Sequence, residues 1–233
     1  MPDATAPSLS RPVGVTLDII AAQIGPLEGL SILDVGCGGG GLARALSAKG
    51  AKVTGVDPQE AALATARSRA PDAEFRQAGA EALPFPDASF DRVVFLNSLH
   101  HVPVPLMSAA LKEAVRVSKG PVLVIEPLAE GPFFRAMLPV EDETPIRAAA
   151  QAALAAAVET GEVRRLASGE YDDVRRFADA DAFLAMIVAV DPARTATAER
   201  ERARVTELVA QEGAPTEGGV LLPQPHRFDL LAR

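Results

Sequence analysis

A chain of 233 residues, 48% of them apolar and with a formal net charge of −8, is long enough to bury a substantial core and fits one globular domain, at most with a small cap. Its 23 basic residues form no cluster able to follow a phosphate backbone, so nucleic acid is not an expected partner. One cysteine, Cys37, excludes an internal disulfide framework. No apolar run reaches the roughly 18 residues of a bilayer span, and the start MPDATAPSLSRP lacks the apolar centre of a signal peptide. The expectation is a soluble, cytoplasmic protein with no membrane partner.

In chain order, short segments rich in Val, Ile, Leu or Phe and bounded by Gly, Pro, Asp or Asn predict strands over 31–36, 51–57, 73–79, 91–97 and 121–127. Helical patterns fall between them at 41–49, 58–70 and 103–118. Such alternation implies parallel pairing through right-handed crossovers, hence an open α/β sheet covered on both faces. Ligands of such sheets sit beyond the carboxyl ends of the strands. After Pro127, the run TPIRAAAQAALAAAVETG predicts a helix with Thr144 at its N-cap, Pro145 in its first turn and Gly161 past its end. Ile146, Ala150, Leu154 and Val158 give it one apolar face. A further strand is expected within 171–177, helices near 179–190 and 197–212, and a last strand near 226–232.

The stretch ILDVGCGGGGLARAL, residues 32–46, joins the first strand to the first crossover helix. Gly36, Gly38 and Gly41 meet the G-x-G-x-x-G spacing of a dinucleotide site, a weak signal by itself. A merely flexible turn is the bland reading, but glycine is entropically costly unless something approaches the backbone closely. In a dinucleotide site pyrophosphate rests on the helix N-terminus, where a carboxylate at Asp34 would repel it. A cationic ligand suits that carboxylate better.

LDVGCGGGG resembles motif I of the class I S-adenosylmethionine-dependent methyltransferases, with Asp34, Gly36, Gly38 and Gly40 on a D-x-G-x-G-x-G pattern and Cys37 within the loop. The resemblance runs from about residue 30 to residue 127 and rests on several blocks. It implies S-adenosylmethionine as cofactor, a Rossmann-like sheet, mostly parallel with an antiparallel last strand, and direct displacement of the methyl group by a small-molecule acceptor. In VTGVDPQE it gives Asp57 the ribose hydroxyls, with Pro58 beside it, although an aspartate followed by proline and glutamate also reads as a helix start.

The block QAGAEALPFPDASFD is similar to a family passage in which an aspartate binds the adenine amino group. Here Gly79 stands in that place, leaving adenine to the Ala80 backbone and apolar contacts such as Leu83, with Glu81 either a ligand or a solvated residue; an aspartate restored at 79 is expected to tighten binding modestly. Asn97 either ends the fourth strand or meets the methionine end of the cofactor. In SLHHV, His100 and His101 are the candidates for a general base, should the acceptor need one. Cys37 reads as a small residue packed on the ligand rather than a nucleophile, and no metal site is expected.

The organisation that follows is an S-adenosylmethionine-binding core with an N-terminal helix over 1–127, a helical lid insertion over 128–170 and the rest of the sheet and helices over 171–233. Phe133, Phe134 and Met137 would line the lid, and Arg135, Arg147, Arg164 and Arg165 could anchor an anionic acceptor. The competing readings are a catalytically silent cofactor-binding or scaffolding relative and an NAD(P)-dependent oxidoreductase; the oligomeric state, monomer or homodimer, is left open.

Overall fold

The computed structural model describes residues 11–233, so the Pro-rich start up to Ser10 lies outside the described residues. Helix α1 (Thr16–Ile24) leads into the expected alternation: β1 (Ser31–Val35), α2 (Gly41–Ser47), β2 (Lys52–Asp57), α3 (Glu60–Arg69), β3 (Glu74–Gln77), β4 (Arg92–Leu96), α4 (Met107–Val117) and β5 (Val122–Pro127). Strand β1 pairs in parallel with β2 and β4, β2 with β3, and β4 with β5. Val122, Leu123, Val124 and Ile125 are all fully or almost fully buried, the near-continuous apolar run required of a parallel strand covered on both faces. Helix α4 buries Met107, Ala110, Leu111, Ala114 and Val115, spaced three and four apart, as one stripe against that sheet. It begins at Met107, not 103, because Val104–Leu106 form a 3-10 turn after Pro103.

The rest of the chain comprises α5 (Gly131–Met137), α6 (Thr144–Glu159), β6 (Arg164–Phe177), α7 (Ala180–Val190), α8 (Thr195–Glu212), β7 (Ala214–Thr216) and β8 (Gly219–Ala232). The sheet order is β3-β2-β1-β4-β5-β8-β6, with β7 hairpinned antiparallel onto β8. Strand β6 is twice as long as its apolar content suggests. At the edge of the sheet, its first half exposes Arg164, Leu166, Ser168 and Glu170 in alternation with half-buried neighbours, so period two is present without a hydrophobic run. Strand β8 starts seven residues earlier than expected and runs through Pro223 and Pro225, which cannot donate to a ladder. Gln224 supplies a donor instead: its side-chain amide reaches the carbonyls of Leu128 (3.1 Å) and Pro225 (2.8 Å), while the Leu128 amide donates to the Pro225 carbonyl.

Two compact units divide the chain. The core unit holds Thr16–Glu126, Ile146–Gly169 and Arg227–Arg233; the second holds, of the described residues, 11–15, Pro127–Pro145 and Glu170–His226. Segment 128–170 is therefore shared between them. In the core unit, Ala150, Leu154 and Ala157 of α6 pack into the same apolar cluster as Leu111, Val122 and Phe95. In the second unit, Phe133, Phe134 and Met137 of α5 pack with Phe177, Phe183 and Val205 around their own centre. There Asp179 caps α7 by accepting the Ala182 amide at 2.8 Å.

Candidate active site

The residues singled out in the sequence for the cofactor, and the two histidines, lie in the core unit, at or just past the carboxyl ends of β1, β2, β3 and β4. Hydrogen bonds tie these ends together. The amides of Gly36 and Cys37 both donate to the Val56 carbonyl, at 2.8 and 3.0 Å, and the Ser98 hydroxyl donates to the Val35 carbonyl at 2.6 Å.

The glycines of the loop serve different ends. Gly36, at φ +72°, lies so near β4's exit that an added Cβ would sit 2.5 Å from Cβ of Ser98. Gly40, at φ +74°, faces α3, where an added Cβ would be 2.9 Å from Ala66. Both are demanded by packing within the protein. Gly38, at φ +50°, differs: an added Cβ would meet nothing within 4 Å. Its open side leaves room beside the loop.

Beneath the loop, Asp34 is 2% exposed. It accepts a hydrogen bond from the Ala43 amide, but its Oδ2 has no partner. Burial first, and the nearby Asp57 second, push its carboxyl up to about 7, outweighing the Ala43 bond. A buried carboxyl oxygen without a donor fits a cationic ligand group and does not fit a pyrophosphate. Cys37 is buried too, and desolvation followed by the Asp34 and Asp57 charges raise its thiol well above the usual range, so it is no nucleophile at neutral pH.

Asp57 serves the helix start and keeps lone pairs for a further contact. Its Oδ1 accepts the Gln59 amide (2.8 Å) at the entrance to α3, and its Oδ2 accepts the Gly38 amide (2.9 Å). Each carboxylate oxygen keeps a further lone pair for a ribose hydroxyl. Pro58 is exposed, with its carbonyl holding the Gln77 side chain at 2.8 Å. Past β3, the Ala78 amide donates to the Asp57 carbonyl at 3.2 Å and hangs Gly79, buried Ala80 and half-buried Glu81 next to that carboxylate. Glu113 and Arg116 of α4 hold the following turn through the Leu83 amide and the carbonyls of Leu83 and Phe85.

At the exit of β4, Asn97 takes the left-handed φ of +54°, a conformation that non-glycine residues adopt sparingly and asparagine more readily than most. The 3-10 turn Leu99–His101 that follows is built on a residue sequence reading passed over, Glu126. Its buried carboxylate accepts the amides of Ser98 (3.0 Å), Leu99 (2.8 Å) and His100 (3.3 Å) and meets Nδ1 of the His100 ring. Burial alone would raise this carboxyl; the His100 charge, the His100 hydrogen bond and the amide bonds outweigh burial and hold it below the ordinary range. The signal was there in VLVIEP, where one acid ends an otherwise apolar strand. The two histidines thus separate: His100 is 4% exposed and fixed by Glu126, whereas His101 is exposed, its ring centroid 4.0 Å from that of His100.

Residues 32–120 match the family model described as a methyltransferase domain. Over that stretch the chain is similar to methyltransferase domains. A ubiquinone biosynthesis O-methyltransferase of Alkalilimnicola ehrlichii is 44% identical over 108 residues, covering 44% of this chain and 43% of that protein. The match thus spans under half the length of such curated relatives. Among solved structures, the YcgJ protein of Bacillus subtilis aligns over 94% of this chain and 98% of its own at 19% identity and a TM-score of 0.60. Magnesium protoporphyrin IX methyltransferase from Synechocystis with bound SAH aligns over 94% and 82% at 15% identity and a TM-score of 0.52. These two likenesses establish the fold.

The candidate residues outside the stretch 32–120 are less uniform. Of the four arginines read as acceptor anchors, Arg135 is paired with Glu212 at 2.7 Å and Arg165 with buried Asp229 at 2.6 Å. Arg147 is buried, and Arg164 is exposed.

Proposed function

We propose that this protein transfers a methyl group from S-adenosylmethionine to a small organic acceptor. The observation that carries the reading is the unsatisfied Oδ2 of buried Asp34 beneath a glycine loop whose Gly38 leaves open space. Bound S-adenosylmethionine supplies a methyl group activated by its sulfonium. The residues that would hold it are Asp34 toward the cationic methionine end, Asp57 toward the ribose hydroxyls, the Ala80 backbone toward the base, and Asn97 at the methionine side.

The chain's own contribution is positioning and exclusion of water, which suffice for much of the acceleration when the transferred group is already activated. Glu126 fixes the turn that carries His100 and His101, so His100 acts as a positioning residue. His101, exposed at the exit of β4, is assigned the proton of an acceptor hydroxyl or amine. Relatives named as O-methyltransferases support an oxygen acceptor. Acceptor selection is assigned to residues 128–170, which lie beyond the stretch 32–120 that matches the methyltransferase domain model. Because α6 lies in the apolar core, the test of that segment is substitution of exposed Arg164 rather than deletion.

Calorimetry with S-adenosylhomocysteine and with NAD tests the cofactor, and transfer of a tritiated methyl group into an extract of small molecules tests the reaction. Saturable binding of S-adenosylhomocysteine together with a labelled product is expected. Binding without any labelled product would leave a silent cofactor-binding relative, and binding of NAD in its place would remove the assignment.

A further inference from the structure

The loop after β3 places a carboxylate where a side chain on Gly79 would have to go. A Cβ built on Gly79 would lie 2.5 Å from Oε2 of Glu81 and closer still to Oε1. The Glu81 side chain is thus folded back over the Gly79 backbone, into space that a side chain at 79 would contest. Its φ does not demand glycine, since Gly79 is not among the residues at positive φ. Nor does the protein use this carboxylate internally: Glu81 forms no hydrogen bond or ion pair among the described residues. This half-buried carboxylate, with no protein donor, is open to a donor from outside.

The surroundings identify that donor. Asp57 ends β2 in register with Gln77 of β3, and the Ala78 amide is bonded to its carbonyl, so Gly79–Glu81 is the segment immediately outward of the carboxylate assigned to ribose. A nucleoside whose ribose is held at Asp57 directs its base along this segment. The adenine edge offers an amino donor beside a ring-nitrogen acceptor. A carboxylate two residues past Gly79, with the Ala80 backbone between, supplies the acceptor that an amino group needs.

We infer that Glu81 is the residue that selects adenine over other purines, by accepting the hydrogen bond of its exocyclic amino group, and that Gly79 is a partner of this arrangement rather than a deficit in it. The inference rests on the cofactor reading above. It also reverses the expected effect of an aspartate at 79, which would displace Glu81 and set a like charge beside it instead of adding to it.

The test compares binding of S-adenosylhomocysteine with its inosine analogue, in which a carbonyl replaces the amino group, by calorimetry on the full chain. The wild type should prefer the adenine compound by about tenfold or more, the scale of one hydrogen bond to a charged group. Glu81→Ala should bring the two affinities within about threefold, and the isosteric Glu81→Gln should do so with folding undisturbed. Gly79→Asp alone should weaken adenine binding, whereas Gly79→Asp with Glu81→Ala should recover the preference. An unchanged preference in both Glu81 variants overturns this assignment while leaving the cofactor in place. Failure of the wild type to bind S-adenosylhomocysteine overturns the proposed function and this assignment with it.

Discussion

Asp34 makes the sharpest demand on experiment, because it costs the protein stability on its own. Its carboxyl titrates near 7 in the folded chain against an ordinary value of 3.8. An acid whose folded pKa is raised takes up a proton on folding throughout the interval between the two values. Stability therefore falls as pH rises from the unfolded value and is lowest once the folded carboxyl ionises. At 1.36 kcal/mol per unit the whole interval is worth on the order of 4 kcal/mol. Asp34→Asn removes this titration. Denaturant unfolding of wild type and variant, in the absence of ligand and from about pH 4 to about pH 8, should show the wild type losing ground by that order across the window.

A cationic ligand beside Oδ2 favours the ionised carboxyl, so cofactor binding should tighten as pH rises toward 7 and should release up to about one proton below it. Calorimetry in buffers of different ionisation enthalpy counts that proton. A difference between wild type and Asp34→Asn that stays flat across the window would refute the assignment of a desolvated, unpaired carboxyl. So would binding that is blind to pH in the wild type.

Gly38→Ala and Gly36→Ala should separate binding from folding. The first meets open space and should lower S-adenosylhomocysteine affinity at a stability cost of about 1–2 kcal/mol for its left-handed backbone, whereas the second drives a methyl into Ser98 and should cost more, read by thermal unfolding. Asp57→Ala should weaken S-adenosylhomocysteine binding by about 1.5–3 kcal/mol, and Asp57→Asn should move the Asp34 titration downward by removing a like charge, measurable in the same pH series. Glu126→Gln should destabilise by about 3–5 kcal/mol, having lost one partner of a buried pair. Since the folded carboxyl of Glu126 is depressed, its stabilising contribution is present above the ordinary value of 4.5 and lost as pH falls through the folded one, so the acid limb of unfolding should flatten in the variant.

Local chemistry was enough to read the first half of the chain. Strands β1 to β5 are apolar runs with clear borders, and the crossover helices between them leave a parallel sheet as the economical arrangement. Ligand-binding loops at the carboxyl ends of strands follow from that topology, so Asp34, the glycines, Asp57 and Asn97 could be placed at one end of the sheet from their spacing alone. The later strands were only half legible, since β6 is an edge strand whose outward residues are polar and β8 contains two prolines whose missing donors are compensated by Gln224, a residue distant in sequence from Leu128.

Which of the glycines serves packing and which leaves room for a ligand depended on Ser98 and Ala66 arriving from other strands and helices. The partition of the two adjacent histidines depended on Glu126, 26 residues on, reaching the turn from the neighbouring strand. The loss of an acceptor at Gly79 became a place for Glu81 only when the loop folded back on itself. Sequence periodicity encodes which side of an element is buried and what a residue could do. Whether a buried charge finds a partner, or a glycine finds a neighbour, is decided by segments far apart in the chain, and only their packing reveals it.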